Sequence, residues 1–486
     1  MTRADGRLLS AVMLGVASGS ILVPLNSTML AVALPGVMSE FGLGANTVSS
    51  LVTLYLGAVA VALPVGGSLG DRFGHRRTFL AGVAGFGAAS LLAALASSFV
   101  VLEAARVLQA ASGALISTSS AALIRETAPE TRRGEAFGLF DLLVSTSAAI
   151  GPFVGGVVVG ALGWRSLFFL AVPIAILAAV LVGIVLRPGR SGDSLERHVR
   201  DQVDAPAAEP TVEPPIQPVV EPVPTPRPID IPGLVLLALV IVAFLLALRG
   251  ESAGLLGTIG LIAVIPLAIA FLTVELRRAQ PAVDPRLFLR RPFAAAVIGV
   301  FGATVVLHGC FILVPLLVEN VLHETATTSG IVLLGIAGVS ALVAPFGGRA
   351  SDRIGRRRLA VTGSLITAVG LGLLWLPAGL ASAASVAILL GVVGLGFGLA
   401  GSPRQAAAFE TIEPSRLGMA SGTYYTGRYL GGVVGASLAG AVLGQVVTAA
   451  GVSLGFGLLT IVAVIAAVTA LGLPGPSRPS RLLPFR

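Results

Sequence analysis

Residues Gly67-Ser68-Leu69-Gly70-Asp71-Arg72-Phe73-Gly74-His75-Arg76-Arg77 recur as Gly348-Arg349-Ala350-Ser351-Asp352-Arg353-Ile354-Gly355-Arg356-Arg357-Arg358. The first glycine, the aspartate, the arginine beside it, the second glycine and a trailing arginine coincide at identical spacing. Both copies close a long apolar run. Internal repetition among apolar segments marks a membrane carrier built from two related halves. In each copy the aspartate falls at a helix end, where it can accept hydrogen bonds from helix N-termini or pair with arginine. The first glycine admits a neighbouring helix and the second permits a tight reversal. Gly67, Asp71, Arg72, Gly74 and Arg76, with Asp352, Arg353 and Gly355, are therefore candidates for a latch that holds one face closed and releases it.

The composition agrees. Of 486 residues, 55% are hydrophobic and 12% charged, with a mean hydropathy of +0.94. A soluble domain carries about 25% charged residues, so the expected class is an all-α polytopic membrane protein. The net charge is +8, and all 32 basic residues are arginine. Without lysine there is no Walker A loop and no pyridoxal Schiff base, so neither an ATP motor of that kind nor that cofactor is expected. The arginines lie between apolar runs rather than on one soluble face, which argues against nucleic acid. Cys310 is the lone cysteine, and no Cys/His cluster has metal spacing. No metal, cofactor or enzymatic constellation is expected. The first apolar run, Leu8 to Pro35, is too long for a cleaved signal.

Segments of about 20 apolar residues predict fourteen spans. They cover 9–35, 47–70, 78–97, 99–124, 135–161, 166–187, 232–249 and 254–275. The rest cover 293–319, 326–349, 359–378, 382–403, 418–447 and 452–473. With the N-terminus inside, 28 arginines fall on the cytoplasmic side, including Arg404 and Arg416. Arg165 and Arg249 fall outside, and Arg106 and Arg428 fall within spans. That bias predicts two cytoplasmic termini. Residues 188–230 are polar and proline-rich, and read as a cytoplasmic linker, either a spacer or a docking element. The expected organisation is a six-helix bundle over 1–187, the linker 188–230, two inserted transmembrane helices over 231–275, and a second six-helix bundle over 276–486.

The repeated pattern resembles motif A of the major facilitator superfamily. Leu102 to Gln109, around Arg106, resembles its motif B. Gly138, Ser147 and Gly151-Pro152-Phe153-Val154-Gly155-Gly156 resemble motif C, which marks exporters. Gly163-Trp164-Arg165 and the fourteen-helix count resemble the larger drug/proton antiporter branch. The resemblance implies a major facilitator fold, small-molecule export and proton coupling. It implies a cavity between halves lined by helices 1, 4, 9 and 12 with parts of 5 and 13.

One departure matters. That branch carries an aspartate on helix 1 where this chain has Asn26, two residues before Thr28. An amide cannot exchange a proton at useful pH. Other intramembrane ionisable residues are functional candidates: Glu103, Arg106, Asp141, His308, Glu319 and Arg428. Each also has a plainer reading. Asp141 completes the latch; Glu103 pairs with Arg106 three residues on; Glu319 is solvated; His308 is structural; Arg428 snorkels. Gly151 with Gly155, and Gly427 with Gly431 and Gly435, form small-xxx-small stripes. With Pro152 and Gly156 they are expected at a helix interface, read as the sliding seam between rocking halves. The neutral lining predicts an amphipathic or neutral cargo.

Taken together, the expected function is a bacterial plasma-membrane exporter of small amphipathic molecules, with lipid, cargo and protons as partners. An uncoupled facilitator, or a non-transporting receptor docking through its linker, is the alternative.

Overall fold

The computed structural model describes residues 3–127, 133–185, 230–249, 254–278, 281, 283–410, 412 and 417–475. Every regular element among them is helical. Fourteen helices have 19 residues or more. The first six are α1 Arg3–Met29, α2 Ser50–Phe73, α3 His75–Ala94, α4 Phe99–Thr127, α5 Arg133–Leu162 and α6 Arg165–Val185. Next come α7 Ile231–Arg249 and α8 Leu255–Arg277. The last six are α9 Arg291–Leu316, α10 Ala326–Ile354, α11 Arg356–Trp375, α12 Ala383–Phe409, α13 Leu417–Leu443 and α14 Ala449–Thr469.

Among the described residues, 12 helices are long and apolar enough to cross a membrane. α7 and α13 fall outside that set. The apolar stretch of α7, Pro232–Ala247, spans about 24 Å at 1.5 Å per residue. That is short of a hydrocarbon core of about 30 Å. α13 is long, but glycine, threonine, tyrosine and Arg428 interrupt its apolar character.

Two helix ends overrun the expected ones. α1 continues through a tight turn at Leu30–Ala33 into Leu34–Phe41. Pro35 occupies the first turn of that last piece, where its missing N–H has no acceptor to lose. α12 passes through Pro403 and ends at Phe409, so Arg404 is inside a helix rather than in a connecting loop.

The pairing of helices repeats. In the first six, α1 packs on α4, α5 and α6, α3 on α4 and α6, and α2 on α4. In the last six, α9 packs on α12, α13 and α14, α11 on α12 and α14, and α10 on α12. Two seams join these groups: α5 against α10, and α2 against α13. α7 and α8 pack on each other, and α7 leans on α2. Ala60, Leu237 and Ile241 form that seat, with Tyr429 beside it.

The repeated sequence makes a repeated turn. Gly74 has φ 87° and ψ 134°, and Gly355 has φ 97° and ψ 140°. An L side chain at such φ values is strained, which is why glycine recurs there. Their amides close the helix, onto the Gly70 and Ser351 carbonyls.

The core is one-sided. At the end far from these turns, Leu34, Val48 and Leu51 share one apolar core with Leu313, Val314, Val433 and Leu443. At the turn end each group keeps its own. Phe79, Val83, Phe86 and Ile124 belong to one core, and Phe293, Ala360, Ala407 and Tyr424 to the other. The two groups are thus sealed together at one end and parted at the other.

Candidate functional site

Arg106 on α4 is 1% exposed. Its Nη1 donates to Asn26 Oδ1 at 2.6 Å and to Gln109 Oε1 at 2.8 Å. Gln109 Nε2 passes the string on to Ser90 Oγ at 2.7 Å. The guanidinium carbon lies 4.1 Å from the centre of the Tyr55 ring on α2. A desolvated cation over a ring gains about 2 kcal/mol or more, and bonds from a charged donor are stronger than neutral ones. Both contacts hold the cation without neutralising it, and its Nε has no partner. The hydrogen bonds of Arg106 go to Asn26 and Gln109. Glu103 accepts from the Ser50 hydroxyl.

The facing wall comes from α9 and α13. Thr304 Oγ1 donates to the Arg428 carbonyl at 2.8 Å. One turn on, His308 Nδ1 lies 3.1 Å from the Thr304 carbonyl. A carbonyl can only accept, so the ring proton is on Nδ1. Arg428 itself is exposed, and among the described residues its guanidinium makes no hydrogen bond or ion pair. It sits on α13 between Tyr424, in the turn-end core, and Val433, in the shared core. That is the level at which the gap closes. Its charge reaches His308, Tyr424 and Tyr429. Tyr55 is in reach of both Arg106 and Tyr429. Arg106 of one half thus lies over Tyr55 of α2, and Arg428 of the other half stands on α13, the helix across that seam.

The glycine stripes divide their work differently from the expectation. A Cβ at Gly155 would lie 3.0 Å from Met29 Cα, and Gly151 faces Thr28 and Leu25. Gly431 and Gly435 likewise face Phe301 and Val305. These stripes pack α5 on α1 and α13 on α9, within a half. The seam between halves uses the next residue along. A Cβ at Gly156 would meet the Ala326 carbonyl at 2.5 Å, and one at Gly330 would meet the Pro152 carbonyl at 2.5 Å. Thr327 Oγ1 donates to the Gly156 carbonyl at 3.2 Å. Thr28 lies against Gly151, with its Oγ1 donating to the Pro24 carbonyl at 2.9 Å. The second seam is tied at the sealed end by Asn46 N donating to the Gly444 carbonyl at 3.2 Å.

The latch residues lie at the open end. Asp71 is 70% exposed, with His75 Nε2 at 3.5 Å. His75 also reaches Glu126 at 3.9 Å. In the other half the corresponding Arg356 pairs with Glu410. Arg72 rests on Phe73, 5.5 Å from the ring centre, and Arg353 is exposed. Arg76 Nη2 donates to the Gly183 carbonyl at 3.3 Å, so it ties α3 to α6. The side chains of Asp141 and Asp352 lie outside the described residues. Gly67 meets nothing within 4 Å. The close approach belongs to the glycine before it: Gly66 packs on Ala114 of α4, and Gly347 on Gly398 of α12. Glu319, in a π turn at Leu317–Val321, accepts from Ser329 Oγ at 2.9 Å.

Three residues of the polar interior escaped the sequence reading. Gln109 and Tyr55 hold Arg106. Arg404, 4% exposed, donates to Ser364 Oγ at 3.0 Å beside a cavity of about 20 Å³, room for about one water. The helix continues past Arg404 to Phe409.

The Major Facilitator Superfamily profile matches residues 16–436 and 311–485. The Tetracenomycin C resistance and export protein of Streptomyces glaucescens is 32% identical over 89% of this chain and 75% of its own length. The Multidrug resistance protein B homolog of Mycobacterium tuberculosis is 28% identical over 86% of this chain and 73% of its own. Among solved structures, a POT family transporter in complex with 5-aminolevulinic acid superposes with a TM-score of 0.65, at 17% identity over 95% of each chain. At that identity the likeness concerns the fold alone.

Proposed function

The chain belongs to the Major Facilitator Superfamily, a family of membrane transporters, and we propose that it exports small amphipathic organic molecules by alternating access. The observation that carries this reading is the one-sided core. Two halves with repeated helix pairing share apolar packing at one end and part at the other. A rocking motion that exchanges the sealed end for the open one would move a cargo across. The names of two relatives, one for tetracenomycin C export and one for multidrug resistance, support an antibiotic-like or drug-like cargo.

In this reading α7 and α13 complete fourteen spans, with α7 and α8 inserted between bundles over 1–187 and 276–486. The arginine bias supports a cytoplasmic turn end and cytoplasmic termini, and in this orientation the gap faces inward. Asp71 with its arginines, and Asp352 with Arg353, would close the turn end when the gap reverses. The exposure of Asp71, Arg72 and Arg353 at the open end agrees with a released latch.

Proton antiport is the proposed driving force, by family resemblance. Glu319 is a carboxylate that could carry the proton. Asn26 favours a second reading, an uncoupled facilitator, because the residue that faces Arg106 cannot titrate. Reconstitution of the full chain in liposomes with an imposed pH gradient separates them. Accumulation of a fluorescent amphipathic cargo against its gradient supports antiport. Equilibration alone supports the facilitator, and no flux across a broad cargo panel defeats the export reading.

A further inference from the structure

Among the described residues, the charged side chains at the closing level of the gap are two arginines. Arg428 projects from α13, and Arg106 lies buried across the seam. The residues around them are neutral: Asn26, His308, Tyr55 and Tyr429. The described carboxylates of the first and last six helices lie elsewhere. Glu40, Glu103 and Glu319 sit toward the sealed end, and Asp71, Glu126 and Glu410 at the rim of the open end.

A guanidinium at the gap is solvated while the gap holds water. When the halves close over it, that water is lost, and an unpaired charge in a low-dielectric interior is costly. Arg106 has protein partners for this, in Asn26, Gln109 and Tyr55. Arg428 has none among the described residues. The fork of an arginine matches a carboxylate in bidentate fashion. One turn before it stands the half-buried Tyr425, held edge to face by the buried Tyr424 with ring centres 5.8 Å apart, and next to it the half-buried Tyr429. Such rings offer flat apolar contact to an aromatic body.

We infer that the cargo is an aromatic monoanion whose carboxylate docks on Arg428. The inference rests on the export reading for its place in a transport cycle, though the binding itself does not need transport to be measured. It narrows the expectation of an amphipathic or neutral cargo to an amphipathic anion. A neutral lining would suit a neutral compound, but the lining here carries an unmatched positive charge. Asn26 fits the same account, because an aspartate at that place would neutralise Arg106 and repel an anion.

The test uses three fluorescent probes on one scaffold: 1-pyrenebutyrate, its neutral amide, and 1-pyrenebutylamine. Equilibrium binding to the purified full-length protein and flux in proteoliposomes are measured side by side. Wild type is expected to bind the carboxylate roughly tenfold tighter than the amide and the amine most weakly. In R428Q the ratio of carboxylate to amide affinity should fall to about one. R428K, which keeps the charge but loses the fork, should fall between. Preference for the amide or amine in wild type, or an unchanged ratio in R428Q, overturns the inference. Carboxylate-selective binding lost in R428Q but without flux of any probe leaves the anion site standing and defeats the export reading. Absence of binding by all three probes overturns the site.

Discussion

The two seams occupy equivalent places in the repeated architecture, yet they are made of different material. At α5/α10 backbone meets backbone: Gly156 and Gly330 bring the chains so close that neither position has room for a methyl group. At α2/α13 side chains meet. Leu56 and His308 close on Gly432, and Tyr55 approaches Tyr429. α7 leans on α2 at the same place. One seam is a bearing with little chemistry in it. The other gathers both buried and exposed guanidinium groups. A duplicated fold has thus kept two equivalent seams while packing them differently.

Substitutions break this contrast in a graded way. Gly330→Leu should be the most damaging, because the new side chain points at the Pro152 carbonyl and the α5 backbone cannot yield. Overpacking of that kind costs about 1–3 kcal/mol or more. Flux in proteoliposomes should be abolished while the chain still inserts; wild-type flux would refute the bearing. Arg106→Met comes next. It leaves the Asn26 and Gln109 oxygens without their donor, at about 1–3 kcal/mol for each buried orphan. A lower midpoint of thermal unfolding in detergent, with flux reduced at least about tenfold, is expected. An unchanged midpoint would mean the string contributes nothing to folding.

Asn26→Asp should have the opposite sign on stability. The acceptor already lies 2.6 Å from Arg106 Nη1, and a charged acceptor adds about 1 kcal/mol over a neutral one. The midpoint should rise while affinity for 1-pyrenebutyrate falls; a fall in both would place Arg106 elsewhere. Gly432→Ala should be mildest. Its Cβ meets Leu56 Cδ1 at 2.8 Å and His308 Nδ1 at 3.0 Å, and the leucine tip can move. A change of flux within a few-fold is expected, against complete loss at Gly330. Equal effects would erase the distinction between the seams.

The helical segments and the paired turns were legible because their signals are local, although 12 rather than fourteen of the described helices are long and apolar enough to span. Apolar runs delimit helices, and the Gly74 and Gly355 reversals need a residue without Cβ. The placement of Arg404 was not legible, because an arginine after a proline reads as a loop until its partner Ser364, 40 residues away, is in view. The glycine stripes show the same limit. Spacing says that Gly151 and Gly155 share a face with each other, but not that the face meets α1 rather than α10. Asn26 was recognised as an altered residue. That its partner is Arg106, 80 positions on, depends on how α1 and α4 are packed.

The one-sided core also sets a condition on the transport cycle. The sealed end joins both halves in a single apolar body, whereas the open end holds two smaller ones. In an alternating-access cycle, opening the sealed end would wet that body, while closing the turn end would bury other surface in exchange. A ligand that bound both arrangements equally would shift nothing, however tightly it held. Whatever drives the reversal has to prefer one arrangement over the other by the difference between those two terms.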